Sequence, residues 1–400
     1  MKKIIIGIVI ILIIIINIFM YFGGFSTGDS LNLDEFKNYA KEITDFTIPE
    51  DSKIIALGEA SHGNKEFQEL KLEIFKKLVE KYNVKAFALE ADFGGCLEIN
   101  DYIHGAKGNP LDVISKAGFK IYQTEQMIEI IEYMRKYNAN HQDDLRFYGF
   151  DMQRTSYSLK ALNLDSLDNE KLLALKENDD ELIKQYATVL LQNIDINNSD
   201  NGSLLRDKYM AENVEWILRQ EEKKGYQTIF ITGHNEHVAK WESYDSMGKW
   251  LSKEDNGYYV IGTDFYKSKC NLPAKNKRIV KTFYSHDPLA KTLNLSGLSK
   301  AYIDFSKVDK DSEIFHALDD YQYMGSLGER YSFIMRLLPM SYRIYQRADI
   351  LYDAMILIDE VTPIKILDWI IKKASSFSSL LFRYRNNQIV LNMYYSMAYY

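Results

Sequence analysis

The chain has 400 residues, of which 46% are hydrophobic and 26% are charged, with only 6 prolines. This composition is typical of a globular protein and excludes a disordered or fibrous chain. The formal net charge of −7 repels phosphate backbones, so we expect no binding to nucleic acid.

The N-terminus combines two lysines with a long apolar run. Lys2 and Lys3 precede residues 4–22, which are nineteen residues without a charge. As a helix, such a run is about 30 Å long, which matches the core of a bilayer. The leading lysines favour a cytoplasmic N-terminus. We therefore predict that residues 1–30 are a single-pass membrane anchor and stalk that places residues 31–400 outside the cell membrane. The alternative is a cleaved signal that yields a secreted protein.

Short apolar runs recur along the rest of the chain and predict buried strands. They cover residues 53–57, 84–89, 146–150, 227–232, 258–261, 278–283, 301–305 and 354–358. Segments with apolar residues at helical spacing lie between several of these runs, for example at residues 66–82. This alternation predicts a three-layer α/β/α fold with a mostly parallel sheet. One charged stretch without strand patterns, about residues 152–226, is predicted to be a helical insertion in the single domain 31–400.

Titratable side chains follow four of the predicted strands, at the point where each strand ends. They are Glu59, His62, Glu90, Asp92, Asp151, His234 and His237. Ligands of open parallel sheets bind beyond the carboxyl ends of the strands, so we expect these groups to meet in one crevice. Three of the seven histidines of the chain belong to this set.

These residue types suit proton transfer. A histidine held by a carboxylate can take a proton from water, and a second histidine can stabilise an oxyanion or protonate a leaving alkoxide. The pattern predicts hydrolysis without a covalent nucleophile. It demands no cofactor, although it does not exclude a divalent metal. The G-x-S-x-G letters at residues 24–28 follow the apolar run without a preceding strand, so they do not indicate a serine nucleophile.

A set of motifs in the same order resembles the erythromycin esterase family. They are LGEASHG (57–63), ALEADFGG (88–95), GFDMQ (149–153), RDKYMAEN (206–213), GHNEHVA (233–239) and YDAMILIDEVTP (352–363). The resemblance covers nearly all of residues 40–365. It implies a three-layer α/β fold with a helical insertion and the hydrolysis of an ester or lactone, with macrolides as one substrate class. Some members of the family are linked to exopolysaccharide biosynthesis.

The resemblance also implies roles for individual residues. His62 is expected to be the general base, supported by Glu59 and Glu90. The second histidine site falls on His234, with His237 close by.

Four further residues are expected to contact the small-molecule substrate: Lys65, Lys71, Asp92 and Asp151. The family often has arginine at the two lysine positions, and lysine replaces its planar fork with a point charge. The two aspartates can equally cap the helices that follow their strands. The alternative function is a metal- or haem-binding protein on a related α/β scaffold, because three histidines in one crevice can hold such a group. The sequence does not predict an oligomeric state.

Overall fold

The N-terminal apolar run forms a helix, α1 (Lys2–Tyr21). A computed structural model describes residues 2–21, 29–241, 243–253, 257–285, 287–328, 330–336 and 339–367. The side chains of α1 are described from residue 4 to residue 16, and its isoleucines there are exposed. Within the described residues, no helix is long and apolar enough to cross a membrane. The membrane anchor stays a prediction from the sequence. The G-x-S-x-G letters at residues 24–28 lie outside the described residues.

Ten strands form two sheets in the described residues. They are β1 (Ile54–Glu59), β2 (Ala86–Asp92), β3 (Arg146–Asp151), β4 (Ile229–His234), β5 (Tyr258–Ala274), β6 (Lys277–Tyr284), β7 (Lys300–Asp304), β8 (Gln322–Gly325), β9 (Arg343–Gln346) and β10 (Ala354–Val361). The main sheet has the order β3-β2-β4-β1-β5-β10-β7, and β6 pairs with β5 beside this path. Strands β8 and β9 form a separate antiparallel pair.

The helices after α1 lie between and beside these strands. They are α2 (Leu33–Tyr39), α3 (Lys65–Tyr82), α4 (Phe93–Ile103), α5 (Pro110–Ile114), α6 (Glu125–Asn138), α7 (Ser156–Ala161), α8 (Asn169–Lys176), α9 (Glu181–Asn198), α10 (Gly202–Glu222), α11 (Asn235–Val238), α12 (Met247–Ser252), α13 (Pro288–Ser296), α14 (Glu313–Leu318) and α15 (Ala348–Leu351). Helices α7 to α10 occupy the stretch between β3 and β4, where the sequence predicts a helical insertion.

Strands β1 to β4 of the main sheet are buried on both faces because they carry apolar residues at successive positions. In β1, Ile54 and Ala56 belong to one apolar cluster, whereas Ile55 and Leu57 belong to the other. Helix α3 covers the second face with a stripe of buried residues that includes Phe67, and each such side chain contributes about 1.5–3 kcal/mol. Helices therefore lie against both faces of the sheet.

The mixed α/β fold with a mostly parallel central sheet is confirmed. Strands β1 to β5 and β10 pair in parallel, whereas β6 and β7 run antiparallel to their neighbours. All eight predicted strand segments overlap strands of the structure. The pair β8 and β9 is an addition that the sequence did not reveal, because its strands have four residues each.

The sheet places the carboxyl ends of β1 to β4 side by side. Glu59, the last residue of β1, pairs in register with His234, the last residue of β4. Strand β2 lies on the other side of β4, and its pairing with β3 shifts by one residue between Leu89 and Asp92. This bulge contains Glu90, whose carboxylate reaches β4. The four strand ends thus bring their polar side chains to one edge of the sheet.

Candidate active site

His62 is held by a carboxylate at the end of β1. Its Nδ1 atom lies 2.6 Å from Oε1 of Glu59, and both side chains are largely buried. The other carboxylate oxygen of Glu59 lies 3.1 Å from Nζ of Lys71 on α3, at ion-pair distance but without good hydrogen-bond geometry. Because Nδ1 faces Glu59, Nε2 is the ring nitrogen that remains available to a water molecule.

Opposing effects act on the pKa values of this pair. Burial alone would raise the pKa of Glu59, but the charges of Lys71 and His62 outweigh burial and hold that pKa below its ordinary value. Burial alone would lower the pKa of His62, but the Glu59 carboxylate outweighs it and raises that pKa. An ionised Glu59 fixes the proton of neutral His62 on Nδ1. His62 is consequently a stronger base than a free imidazole, with its lone pair on Nε2.

His234 faces His62 from the end of β4, with ring centroids 5.0 Å apart. Its Nδ1 accepts a hydrogen bond from the backbone N–H of Glu236 at 3.4 Å, which caps α11. Its Nε2 lies 3.3 Å from the backbone oxygen of Leu327, which can only accept. Both contacts fit the neutral tautomer that carries its proton on Nε2.

Burial lowers the pKa of His234, and the neighbouring rings of His62 and His237 act in the same direction. The neighbouring Glu236 carboxylate opposes them without reversing the shift. His234 is therefore neutral near pH 7 and presents an N–H donor close to His62.

Glu90 and Arg206 form a buried ion pair behind the two histidines. Oε1 of Glu90 accepts a hydrogen bond from Nη2 of Arg206 at 2.7 Å, and Oε2 accepts one from the backbone N–H of His234 at 2.8 Å. A Cβ atom at Gly233 would lie 2.8 Å from this Oε2, so glycine leaves room for the carboxylate. Burial would raise the pKa of Glu90, but His237 and Arg206 outweigh it and hold the pKa far below its ordinary value. Glu90 thus positions the backbone of His234, and it acts on His62 only through its charge.

His237 belongs to the same charged network. Its Nδ1 lies 2.8 Å from Oδ1 of Asp207, and its Nε2 lies 3.0 Å from Arg206 and 3.5 Å from Glu90. Burial lowers the pKa of His237, but the two carboxylates outweigh burial and raise it to about 9. The contact with Arg206 requires an unprotonated Nε2, because a guanidinium only donates. We favour the protonated ring, since the flanking carboxylates act more strongly on His237 than Arg206 does.

Two cavities meet at this network. The first has a volume of about 460 Å³, and its walls include Glu90, Tyr122, Arg154 and Arg278. The second has a volume of about 560 Å³, and its walls include His234, Glu236, His237 and Tyr244. The residues that line both cavities are His62, Gln153, Arg206 and Gly328. A substrate that fills both would therefore pass the Glu59–His62 pair.

The structure brings the five predicted catalytic side chains together. Four of them lie on cavity walls, namely His62, Glu90, His234 and His237, and Glu59 contacts His62 from behind. Their catalytic roles stay predictions, because geometry alone does not test them.

The four side chains predicted to contact substrate do not line either cavity. Lys65 is half-exposed and pairs with Glu69 one helical turn away, and Lys71 is fully buried against Glu59. Asp92 caps α4 by accepting a hydrogen bond from the backbone N–H of Gly95 at 2.6 Å. Asp151 is buried against the Arg206 guanidinium at 2.7 Å. The capping alternative thus holds for Asp92, and Asp151 instead supports an ion pair.

One residue that joins the site was not predicted from the sequence. Arg206 binds Glu90 and Asp151 and contacts His237, and its neighbour Asp207 holds the His237 ring. Both lie in the RDKYMAEN motif at residues 206–213, which supported the resemblance but received no role. The available signal was an adjacent Arg and Asp at positions that share the inward face of the helix with apolar residues such as Met210 and Val214.

The described residues offer little for a metal ion. Among them, no three His, Cys, Asp or Glu side chains are arranged to hold one. Apart from Nε2 of His62, the nitrogens of the three site histidines face carboxylates, a guanidinium or backbone groups.

Comparison with known proteins decides the family. The model of the erythromycin esterase family matches residues 79–186 and 163–361, which is well over half of the chain. The chain belongs to the erythromycin esterase family. The resemblance noted in the sequence is thereby confirmed, and membership makes the protein an ester hydrolase.

Three relatives illustrate the match. The chain is 25% identical to an erythromycin esterase type II of Escherichia coli over 308 residues, which is 58% of this chain and 71% of that protein. It is 23% identical to the putative hydrolase YbfO of Bacillus subtilis over 336 residues, 63% of this chain and 74% of the relative. A succinoglycan biosynthesis protein of known structure shares the fold with a TM-score of 0.67 at 21% identity, over 84% of this chain and 98% of that one.

Proposed function

We propose that this esterase-family protein hydrolyses an ester or lactone by activating water at His62, without a covalent intermediate. The observation that carries the proposal is the pair formed by the Glu59-bound His62 and the neutral His234, whose rings lie 5.0 Å apart where two cavities meet. A general base and an N–H donor are therefore next to each other at the place where a substrate can bind.

Each group has one task in the proposed reaction. Nε2 of His62 takes a proton from a water molecule as that water attacks the ester carbonyl, and Glu59 stabilises the imidazolium that forms. The Nε2–H of His234 turns from the Leu327 carbonyl to the developing oxyanion and stabilises it. The proton on His62 then passes to the leaving alkoxide, which restores the base.

The charged network behind the rings positions them. Glu90 holds the backbone of His234, Arg206 holds Glu90, and Asp207 holds His237. A protonated His237 beside the cavity adds positive charge where the tetrahedral intermediate is negative.

A hydrolysis panel tests this proposal. We expect turnover of at least one of a set of aryl esters, aliphatic lactones and macrolide lactones, and a loss of about 10²–10⁴-fold in His62→Ala. His104→Ala is the matched control, because His104 lies on the surface at the end of α4. Wild-type turnover by His62→Ala on an accepted substrate would refute the role of His62. The same panel decides whether macrolides are substrates. The reason to include them is the name of the Escherichia coli relative, an erythromycin esterase.

For location, we propose a domain of residues 31–400 on the outer side of the cell membrane, anchored by residues 1–30. The support is the uncharged run at residues 4–22 behind Lys2 and Lys3. Membrane fractionation with protease treatment of intact cells tests it. A full-length chain in the soluble cytosolic fraction contradicts it, and a released chain that lacks the N-terminal segment favours a cleaved signal.

A further inference from the structure

The first cavity has an unusual concentration of positive charge. Besides Arg206, its walls carry Lys120, Arg154 and Arg278, whereas Glu90 is the one carboxylate among its lining residues. Glu90 is already paired with Arg206. The other three cations therefore meet in a cavity of a protein whose formal net charge is −7.

These three cations have no salt bridge with any carboxylate of the described residues. Arg278 is half-buried and donates hydrogen bonds only to the side-chain and backbone oxygens of Asn271, which are neutral. Lys120 is exposed in the cavity wall. Arg154 lies with its guanidinium 5.3 Å from the centre of the Phe119 ring. Arg154 interacts electrostatically with Asp92, but burial raises the pKa of Asp92 to about 7, so this carboxyl offsets the charge of Arg154 only in part.

Other cations of the chain provide a contrast. Arg146 is paired with Glu221, and Arg347 with Asp319 and Asp349. A half-buried guanidinium without a counter-charge is costly, and burial indeed lowers the pKa of Arg278. Such a group is favoured when a ligand supplies the missing negative charge.

The second cavity has a different character. Its walls carry Glu236 and hydrogen-bonding side chains such as Asn197, Ser203 and Tyr244. The cationic groups of this cavity, Arg206 and His237, are already paired with carboxylates, so an anion there would meet Glu236 without a free counter-charge. The first cavity is therefore the one that suits an anion. Since His62 lines both cavities, a substrate with its anionic part in the first cavity places its remainder in the second and its ester bond beside His62.

We infer that the substrate is an ester that carries an oxyanion group, either a carboxylate or a phosphate, which Arg154, Arg278 and Lys120 bind in the first cavity. This assignment rests on the proposed function, because it describes the substrate of the same His62 centre. It adds a charge requirement that the family membership does not contain.

Equilibrium binding tests the anion site without any turnover. Calorimetry on the full-length protein compares succinate with succinamide, and glycerol 3-phosphate with glycerol, so that each pair differs in charge and the two pairs separate carboxylate from phosphate. We expect at least one anion to bind ten-fold or more tightly than its neutral partner. The double variant Arg154→Gln/Arg278→Gln should remove that preference. Lys281→Gln, an exposed change on the same strand as Arg278 and outside both cavities, should keep it.

Hydrolysis supplies the second arm. We expect kcat/KM for a 4-nitrophenyl hemisuccinate or a phosphorylated aryl ester to exceed that for neutral 4-nitrophenyl butyrate at least ten-fold, and the double variant to lose this ratio while it still cleaves the butyrate ester. Equal affinities for charged and neutral probes, or an anion preference that survives in the double variant, overturn the inference. Anion binding without cleavage of any ester refutes the proposed function but leaves the anion site. Cleavage of an ester without anion binding refutes the anion site but leaves the proposed function.

Discussion

The rings of His62 and His234 lie with their centroids 5.0 Å apart, yet their pKa values shift in opposite directions. The Glu59 carboxylate overcomes burial at His62 and raises its pKa, whereas burial lowers the pKa of His234. Two neighbouring imidazoles with diverging pKa values are suited to separate tasks, one as a base and one as a neutral donor. The difference between the two pKa values arises at the strand ends. The last residue of β1 is the carboxylate that contacts His62, whereas its partner in register at the end of β4 is His234 itself.

Glu59→Gln tests the origin of the base. If His62 must be neutral to act, kcat/KM rises with pH through the pKa of His62. The carboxylate of Glu59 raises that pKa, so its removal should move the acid limb of the pH profile to lower pH and reduce the plateau rate. Glu69→Gln is the matched control, because Glu69 is exposed and pairs only with Lys65 among the ion pairs of the described residues. An acid limb that stays in place in Glu59→Gln, with the fold intact by circular dichroism, contradicts the role of Glu59.

His234→Ala tests the donor. Loss of one oxyanion donor typically lowers kcat by about 10²–10³-fold, and we expect KM to change much less. His234→Gln retains an N–H donor and should recover part of the lost rate. If both variants lower kcat equally while KM rises strongly, His234 serves in substrate binding instead.

The parts of this site that the sequence could predict are those attached to strand ends. A buried apolar run that stops at Gly58-Glu59 or Gly233-His234 reveals both a strand and the polar residue at its end. In a parallel sheet these ends fall on one edge, which is why Glu59, His62, Glu90 and His234 were found together. The prediction needed no knowledge of the order of the strands.

The parts that could not be predicted depend on partners far away in the chain. Arg206 lies 116 residues from Glu90, and only the folded packing of α10 against β3 and β4 joins them. Lys71 sits in a charged, amphipathic helix whose lysines normally face water, and it is buried here because Glu59 lies within 3.1 Å. Cationic residues of the first cavity come from separate segments, and no local pattern links them.

Arg206→Ala tests the energetic importance of the buried network. It leaves Glu90 and Asp151 buried without their shared cation, which typically costs about 3–5 kcal/mol in the free energy of unfolding. Urea unfolding at pH 7 measures this cost. Arg219→Ala should change stability by less than about 1 kcal/mol, because Arg219 is exposed and lies 3.7 Å from Glu215.

The same network sets a pH dependence at the acidic side. The folded pKa of Glu90 lies below its ordinary value of 4.5, so the stability that it contributes is present above about that pH and is lost as the pH falls towards the folded pKa. Glu90→Gln should therefore flatten the loss of stability in acid. A wild-type and a variant curve that run parallel below pH 5 would show that Glu90 is not held ionised by Arg206 and His237.

Asp92→Asn separates a capping role from the predicted contact with substrate. Asp92 accepts a hydrogen bond at the start of α4, and Asn caps helices as well as Asp does. Burial, with a smaller contribution from Asp151, raises the pKa of Asp92 from 3.8 to about 7. The folded protein therefore loses stability as the pH rises from about 4 through 7, because the ionised form of Asp92 is disfavoured in the folded state.

The Asp92→Asn variant should match the wild type near pH 4 and exceed it in stability at pH 8, as measured by urea unfolding at both pH values. Its KM should be unchanged, since Asp92 lines neither cavity. A clear rise in KM with unchanged stability at pH 8 would restore Asp92 as a substrate contact.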